Sequence, residues 1–281
     1  MNSQTITQGA PQALHHTWLI ARQEVIKGFF NRRGIIALLA FVLVWGLILF
    51  YPIKQAASYL ADPAIREGLA SLSAVASPRK LLSWEIPELA LFWVISLYWF
   101  PLFAILSSAD QFATDKSRKT FRFLVQRTGR EPLFFGRVLG QMLLQSSYIL
   151  VAGAATLLLI LFRDPALIPA ALRDCVLVLL NLFIVITPYI ALMAVLSLYA
   201  SSARQATMLA VLVWCVISIV SALLGYYQPT LPSLDWLLPG SQIDLLVDNT
   251  PSGALIHAPL PVVQSAVLLL AGLFYMKRIA L

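Results

Sequence analysis

Six long stretches without a charged side chain restrict what this sequence can fold into. They lie between consecutive charged residues and have lengths of 20, 21, 25, 29, 30 and 28 residues. An α-helix needs about 20 apolar residues to cross roughly 30 Å of hydrocarbon. After polar and proline-rich ends are removed, the predicted membrane spans are about 34–53, 89–109, 138–162, 176–200, 206–226 and 258–276.

The composition excludes a water-soluble domain. Residues of the AVILMFWYC set make up 59% of the chain, charged residues make up 12%, and the mean hydropathy is +0.81. Soluble domains carry about 25% charged residues, so this chain lacks the polar surface that a globule in water needs. We therefore predict an all-α polytopic membrane protein whose surroundings are the lipid bilayer.

The placement of the charges predicts the orientation of the six spans. If residues 1–33, 110–137, 201–205 and 277–281 lie in the cytoplasm, that side carries 14 basic and 4 acidic residues, and the other side carries 6 and 9. Basic residues gather in cytoplasmic loops of membrane proteins, so both termini are predicted to be cytoplasmic. The net charge of +7 then needs no nucleic-acid partner, and none is expected.

Residues 14–33 precede the first span and have a helical apolar period. One arc holds Leu14, Trp18, Leu19, Val25, Ile26, Phe29 and Phe30, and Ile20 interrupts the opposite, polar arc. An amphipathic helix of this kind lies in the plane of the membrane surface. The alternative is an ordinary basic segment that flanks the first span.

Residues 110–137 form the one sizeable cytoplasmic loop, between the second and third spans. Their composition is helical as far as Arg127, and Thr128, Gly129 and Pro132 then predict a break followed by a new helix. Seven basic residues alternate with phenylalanines, which favours a docking surface. The alternative is a charged loop that only faces water or lipid.

Several of these segments resemble one family. Asp110, Asp115, a basic cluster, Thr120 and the run Phe121-Arg122-Phe123-Leu124 precede Arg127-Thr128-Gly129-Arg130 and Gly136-Arg137-Val138-Leu139-Gly140. This order is similar to the loop of type-2 ATP-binding-cassette (ABC) transporter permeases, and the closest subgroup is the permeases of copper-enzyme maturation, such as nitrous-oxide reductase assembly. Lys119 stands where the family usually has glycine, and Arg137 where it often has lysine.

The resemblance implies a type V exporter fold with cytoplasmic coupling helices. It implies a permease subunit in the bacterial inner membrane that pairs with a second copy of itself and with two copies of a separate ATPase, and it allows a periplasmic accessory protein. The chain itself has no G-x-x-x-x-G-K-[ST] motif, so ATP and Mg²⁺ are expected in the partner, with no cofactor and no catalysis here. The resemblance also implies that the movement of the ATPase is passed through the coupling helices to spans 1, 2 and 5. The implied ATPase-coupling residues are Glu24, Asp110, Asp115, Arg118, Lys119, Thr120, Arg122, Arg130 and Arg137.

Polar and aromatic residues within the spans are candidates for a translocation path. We take Trp99, Phe103, Gln141, Gln145, Asn181, Ser218 and Ser221 as this set. The alternative is hydrogen bonding and packing between helices, which membrane proteins use widely. Residues 227–257 are expected to form an external re-entrant cap, or else a loop stabilised by Trp236 at the membrane interface.

Two other classes of protein remain as alternatives. A polytopic membrane enzyme would need an acid, histidine or metal-ligand cluster near a span end, and the sequence has no GxSxG or HExxH motif. The three histidines have no paired spacing within a span, so no metal site is expected. An assembly subunit that does not transport would have the same sequence features, and the absence of an ATPase partner would distinguish it.

Overall fold

The computed structural model describes residues 10–60, 84–227 and 234–278, and all regular structure in these ranges is helical. Within the described ranges, six helical segments are long and apolar enough to cross a membrane: Gly34–Ala57, Pro87–Ser117, Arg130–Arg163, Pro165–Tyr199, Ala203–Leu224 and Pro259–Arg278. The predicted fold class, an all-α polytopic membrane protein with six spans, is confirmed.

We number the α-helices in chain order. They are α1 (Ala10–Phe30), α2 (Arg32–Ile48), α3 (Lys54–Leu60), α4 (Pro87–Ser108), α5 (Ala113–Ser117), α6 (Phe121–Thr128), α7 (Arg130–Arg163), α8 (Ile168–Tyr199), α9 (Ala203–Tyr227), α10 (Ile243–Val247), α11 (Pro251–Ala254) and α12 (Pro259–Arg278). Turns of 3₁₀ helix lie at Pro165–Leu167, Leu234–Leu237 and Leu255–His257. Residues 61–83 and 228–233, which belong to the predicted external segments, lie outside the described residues.

The first span contains a widened turn. A π-helical turn at Leu49–Ile53 joins α2 to α3, and Pro52 lies inside it. Proline has no backbone N–H to donate and its ring collides with the preceding turn, so a local change from the α pattern accommodates it. The helix therefore continues past Lys54. The Lys54 ammonium lies 5.7 Å from the centroid of the Phe50 ring.

The third and fourth spans are longer than their uncharged stretches. α7 has 34 residues and α8 has 32, so that Arg137 lies within α7, and Arg173 and Asp174 lie within α8. At 1.5 Å per residue α7 is about 51 Å long, against roughly 30 Å of hydrocarbon. Charged residues thus mark where a helix leaves the lipid and not where the helix ends.

The core of the bundle is built around α8. In the most apolar part of the fourth span 61% of residues are buried within the chain, against 11% in the first and the fifth spans. α8 packs against α4, α7 and α12, and Leu182 and Ile190 on α8 are fully buried. The first and fifth spans are consequently the ones most exposed to the surroundings of a single chain.

Helix α1 packs lengthwise on the first part of α7 through two glycines. A Cβ atom at Gly136 would lie 2.8 Å from Cβ of Ile20 and 2.9 Å from the Thr17 carbonyl oxygen. A Cβ atom at Gly140 would lie 2.6 Å from Cβ of Glu24. Glycines four residues apart on one helix allow the backbones to approach closely. This contact explains why Ile20 lies on the otherwise polar arc of α1.

Much of the apolar arc of α1 is exposed. Leu14, Trp18 and Phe30 are 72%, 54% and 77% exposed. α1 ends at Phe30, Asn31 has an extended backbone with ψ 152°, and α2 begins at Arg32, so the predicted helix over 14–33 is two helices. An exposed apolar arc next to a sharp turn into the first span suits a helix at the membrane surface.

Candidate functional site

The loop between the second and third spans folds into an elbow of two short helices. α4 ends at Ser108, and α5 follows after one turn. The Asp110 carboxylate accepts hydrogen bonds from the backbone N–H of Thr114, at 3.1 Å, and from the Thr114 hydroxyl. These bonds fix the start of α5, because a short side chain with an acceptor can satisfy backbone donors at a helix start.

The chain reverses between α5 and α6 at Lys119. This residue has φ 58°, and Thr120 donates its backbone N–H to the Asp115 carbonyl oxygen at 3.0 Å. The Thr120 hydroxyl lies 3.2 Å from the same carbonyl oxygen and 3.2 Å from Oδ1 of Asp115. A left-handed backbone suits glycine, which is the residue that the related loop usually has at this position.

Replacement of Lys119 by glycine should therefore stabilise the elbow. We expect a gain of about 0.5–1 kcal/mol, since relief of the left-handed conformation outweighs the added freedom of the unfolded chain. Thermal unfolding of the purified protein measures it. Lys119→Ala removes the same charge but keeps the Cβ atom, so it should give no gain, and an equal gain in both variants would contradict this explanation.

Helix α6 has one buried side and one exposed side. Phe121 and Val125 are buried, and the Phe121 ring meets Phe112 edge to face at 6.3 Å between centroids. The opposite side exposes Arg122, Phe123, Gln126 and Arg127, with Phe123 67% exposed. Together with Arg118 and Lys119 these residues form a surface that is basic and carries one exposed aromatic ring; we call residues 118, 119, 122, 123, 126 and 127 the elbow surface.

Arg137 on α7 holds the elbow to two other helices. Its side chain is buried, and it donates from Nη1 to the Gln111 carbonyl oxygen and from Nη2 to the Asp115 carboxylate. Nε lies 3.9 Å from Oε1 of Glu24 on α1, and the guanidinium carbon lies 5.2 Å from the centroid of the Phe112 ring. The five donors of a planar guanidinium allow one residue to link α1, the elbow and α7.

Two further cations of the loop bind the ends of other spans. Lys116 donates to the carbonyl oxygens of Leu198, at 2.9 Å, and Tyr199, at 3.0 Å, in the last turn of α8. Arg130 donates to the carbonyl oxygens of Met276, at 3.2 Å, and Lys277, in the last turn of α12. Cations are favourable at helix C-termini, where carbonyl groups are unpaired and the helix dipole is negative. These bonds connect the loop to spans 4 and 6, and α5 also packs against α9 of the fifth span, one of the spans that the resemblance implied.

The structure divides the predicted coupling residues into three groups. Glu24, Asp110, Asp115, Arg118 and Arg137 line one cavity of about 440 Å³, together with Lys27, Asn31, Arg32, Gln111 and Thr114. Lys119, Thr120 and Arg122 are exposed on the outer side of the elbow, and Arg130 lies at the end of α12. Sequence reasoning missed Lys116 and Gln111, since nothing in the loop sequence shows which residues fold against α7 and α8.

Two of the predicted path residues lie in the same contact between helices. Phe103 meets Tyr148 edge to face at 5.1 Å, and Gln145 donates to the Ser107 hydroxyl, so this pair lies where α4 faces α7. Asn181 lies on α8 and bonds outside this region. Of the other predicted path residues, Trp99 and Gln141 are half-buried. On α9, Ser218 is exposed and Ser221 is buried.

Aromatic rings fill the contact between the first three spans. Phe41 lies 4.7 Å from Tyr148 and 5.5 Å from Phe103, and Trp45 lies 5.4 Å from Phe100, all between ring centroids. Aromatic pairs at these separations stabilise packing beyond the area that they bury. Within a single chain these rings therefore act as packing between helices.

Residues 234–257, at the end of the bundle opposite the elbow, are held by side chains of three spans. Trp93 on α4 donates its indole N–H to the Leu246 carbonyl oxygen at 3.2 Å, and Asn181 on α8 donates to the Pro251 carbonyl oxygen at 2.9 Å. Gln264 on α12 donates to the Leu238 carbonyl oxygen at 3.1 Å. Irregular backbone at membrane depth needs partners from the protein, so these bonds support a cap that sits on the span ends.

No three His, Cys, Asp or Glu side chains in residues 10–60, 84–227 and 234–278 lie together in a way that would hold a metal ion. The two cysteines, Cys175 and Cys215, are unpaired thiols, the first buried and the second exposed.

Comparison with known protein families gives a match over most of the chain. The model of a family described as "ABC-2 family transporter protein" matches residues 18–276, from α1 to the last turns of α12. No curated protein matches the chain. The matched range contains the whole elbow, the cavity behind it and the cap.

Proposed function

The chain belongs to the ABC-2 family of transporter proteins, and on that premise we propose that two copies form the membrane part of an exporter driven by two copies of a separate ATPase. The chain is the membrane permease subunit of an ABC transporter; such a subunit is a transport component and associates with an ABC ATPase. The elbow surface carries the proposal, because it is exposed, basic and rigidly held.

The elbow surface has the chemistry of a docking site for the ATPase. Arg118, Lys119, Arg122 and Arg127 give it a positive charge without an acidic residue, and Phe123 is 67% exposed. In protein interfaces an aromatic side chain often supplies the buried centre while surrounding charges set orientation and association rate. The proposed partner groove therefore has an apolar floor and an acidic rim.

The contacts behind the elbow surface support transmission of force from the ATPase to the spans. Arg137 connects the elbow to α1 and α7, Lys116 connects it to α8, and Arg130 connects the same loop to α12. A displacement of the loop would therefore be passed to α1, α7, α8 and α12 together. In this proposal Glu24, Asp110, Asp115 and Arg137 act as internal linkers, and Arg118, Lys119 and Arg122 face the ATPase.

The exposure of the spans supports a homodimer. The first and fifth spans are each only 11% buried in their most apolar parts. α9 exposes Val211, Leu212, Val216 and Ile219 together with Ser218. We propose that a second copy packs against these two spans, which would place Ser218 and Ser221 near the interface between the copies.

We propose, from the charges, that the chain lies in a bacterial inner membrane with the elbow on the cytoplasmic side and the cap on the outer side. A cavity of about 450 Å³ on the cap side is lined by Trp84, Glu85, Arg173, Asp174 and neighbouring polar residues. We propose that a periplasmic accessory protein binds to this charged cavity. The sequence resemblance supports the copper-enzyme-maturation subgroup, with nitrous-oxide reductase assembly as its example.

Charge reversal of the elbow surface tests the proposal. In the triple variant Arg118→Glu, Arg122→Glu, Arg127→Glu, repulsion of an acidic groove should weaken binding of the ATPase by about tenfold or more and abolish its stimulation. Co-purification with the ATPase of the native cell and ATPase activity in liposomes measure both effects.

The matched control reverses charge at the other end of the bundle. Arg173→Glu and Lys54→Glu change exposed cations far from the elbow and should leave binding and stimulation unchanged. Equal ATPase binding by the triple variant and the wild-type chain would refute the elbow as the docking site. If no ATPase co-purifies with the wild-type chain, an assembly subunit without transport becomes the better account.

A further inference from the structure

A second cavity, of about 390 Å³, lies in the cap at the end of the bundle opposite the elbow. Ligand pockets of proteins commonly have volumes of about 300–1,000 Å³, so a single sugar-sized group fits. Its lining residues are Trp236, Ser241, Gln242, Leu245, Ile256, His257, Pro259 and Leu260. The inference from this cavity is independent of the proposed ATPase coupling.

The side chain of Gln242 is the unusual feature of this cavity. It is 1% exposed, and neither its amide nitrogen nor its amide oxygen has a hydrogen-bond partner among the described residues. The Ser241 hydroxyl beside it is likewise buried and unpaired in this part of the chain. Buried polar groups are nearly always paired in folded proteins, so two adjacent unpaired side chains that line a cavity indicate a missing polar partner.

The backbone holds these two residues in place before any ligand binds. Gly240 has φ 91°, and Ile243 donates its backbone N–H to the Gly240 carbonyl oxygen at 2.9 Å. Gln264 on α12 donates to the carbonyl oxygens of Trp236, at 2.5 Å, and Leu238, at 3.1 Å. A site fixed in this way avoids the entropy loss of ordering a loop on binding.

The lining chemistry selects a neutral ligand with hydroxyl groups. None of the described residues that line the cavity is Lys, Arg, Asp or Glu, so among them a charged group would find no counter-charge. The unpaired atoms lie just beneath the cavity surface, and rotation of the two side chains toward the cavity offers an amide donor, an amide acceptor and a hydroxyl that does both. Hydroxyl groups, which also donate and accept, are their natural complement.

The mouth of the cavity is apolar. Trp236, Leu245 and Ile256 are 51%, 52% and 76% exposed. Tryptophan is enriched where a protein surface crosses from lipid to water, and its flat ring suits contact with the apolar face of a sugar. A polar floor behind an apolar mouth at a membrane interface fits a lipid head group better than a molecule wholly in water.

We propose that the cap cavity binds a neutral, hydroxyl-rich group, the sugar head group of a glycolipid or a free sugar of the same chemistry, through Gln242 and Ser241. Gln242 donates and accepts hydrogen bonds to adjacent hydroxyls, Ser241 binds a third, and Trp236 covers the ring. The acyl chains of a glycolipid leave through the mouth between Leu245 and Ile256.

Photolabelling of the full chain in phosphatidylcholine nanodiscs tests this site. The probe is a diazirine-bearing glucosyl diacylglycerol, and the labelled peptides are found by mass spectrometry. We expect label within residues 234–260 and a loss of about tenfold in Gln242→Leu, with a smaller loss in Ser241→Ala. Gln23→Leu, the same change at an exposed position of α1, is the matched control and should label as the wild-type chain does.

Competitors separate the two sources of the ligand. Displacement of the probe by unlabelled glucosyl diacylglycerol and not by D-glucose supports the lipid, and displacement by D-glucose as well supports a free sugar. Equal labelling of Gln242→Leu and the wild-type chain, or equal labelling of the site by a phosphatidylglycerol probe, overturns the proposal.

A measurement of melting temperature without sugar distinguishes a loss of binding from a loss of folding. In phosphatidylcholine alone, Gln242→Leu should melt at or above the temperature of the wild-type chain, because it removes unpaired polar atoms from a buried position. A clear fall in melting temperature would mean that the amide has a structural partner such as a bound water, and the site would then not be a ligand site.

Discussion

Replacement of Gly140 by leucine is expected to separate α1 from α7 and to lower the melting temperature by about 5–10 °C. The new Cβ atom would lie 2.6 Å from Cβ of Glu24 and 3.1 Å from the Ala21 carbonyl oxygen. The second of these is a backbone atom of a regular helix, so local side-chain movement cannot relieve the collision. We expect the whole of α1 to move away from α7, which would separate the Glu24 carboxylate from Arg137.

Two measurements detect this separation. Thermal unfolding in detergent gives the loss of stability, and trypsin cleavage after Arg32 reports access to the turn between α1 and α2. Gly46→Leu is the matched control, because a Cβ atom at Gly46 has no neighbour within 4 Å. If the two variants melt and are cleaved alike, close packing at Gly140 does not hold α1.

Removal of the Arg137 side chain is expected to uncouple the ATPase and to destabilise the elbow. Arg137→Leu leaves the Gln111 carbonyl oxygen and the Asp115 carboxylate without their donor. Breaking a fully buried ion pair costs about 3–5 kcal/mol, and the 27% exposure of the Asp115 side chain reduces this to about 2 kcal/mol. We expect ATPase stimulation to fall by about tenfold or more, since Gln111 and α5 would no longer be tied to α7.

Arg137→Lys makes the test specific. Lysine, which the related loops often have at this position, keeps the positive charge. Its single ammonium cannot reach Gln111, Asp115 and Glu24 together as the planar guanidinium does. It should retain most of the stability and part of the stimulation. Arg204→Leu, at an exposed site, should change the stability by less than about 0.5 kcal/mol. Full stimulation in Arg137→Leu would contradict the linking role.

The six spans were predictable because burial in lipid requires long uncharged segments, and the sequence shows them directly. The extents of the helices were not, since a helix can continue into water with charged residues such as Arg137 and Arg173. The packing of α1 on α7 was also hidden: Gly136 and Gly140 show that some helix approaches closely, but not which one.

The loop residues could be recognised from the sequence as a charged and aromatic set, but not divided by role. Arg122, Arg130 and Arg137 have the same chemistry, and only the folded chain shows that one is exposed, one caps α12 and one is buried. That division depends on how the elbow reverses at Lys119, where the backbone has a conformation that a lysine side chain does not signal. Whether these roles serve ATPase coupling stays a prediction.

The widened turn at Leu49–Ile53 has a consequence for the register of the first span. The residues that face the bundle, Phe41, Trp45, Leu49, Ile53 and Ala57, recur every four positions. In a straight α-helix each such step drifts by about 40° around the axis, which would amount to about 160° between the first and the last of them. The wider π-helical turn takes up part of that drift, so the four-residue repeat stays closer to one side over roughly four turns. The outer end of the span therefore remains docked on α4, which its middle also contacts.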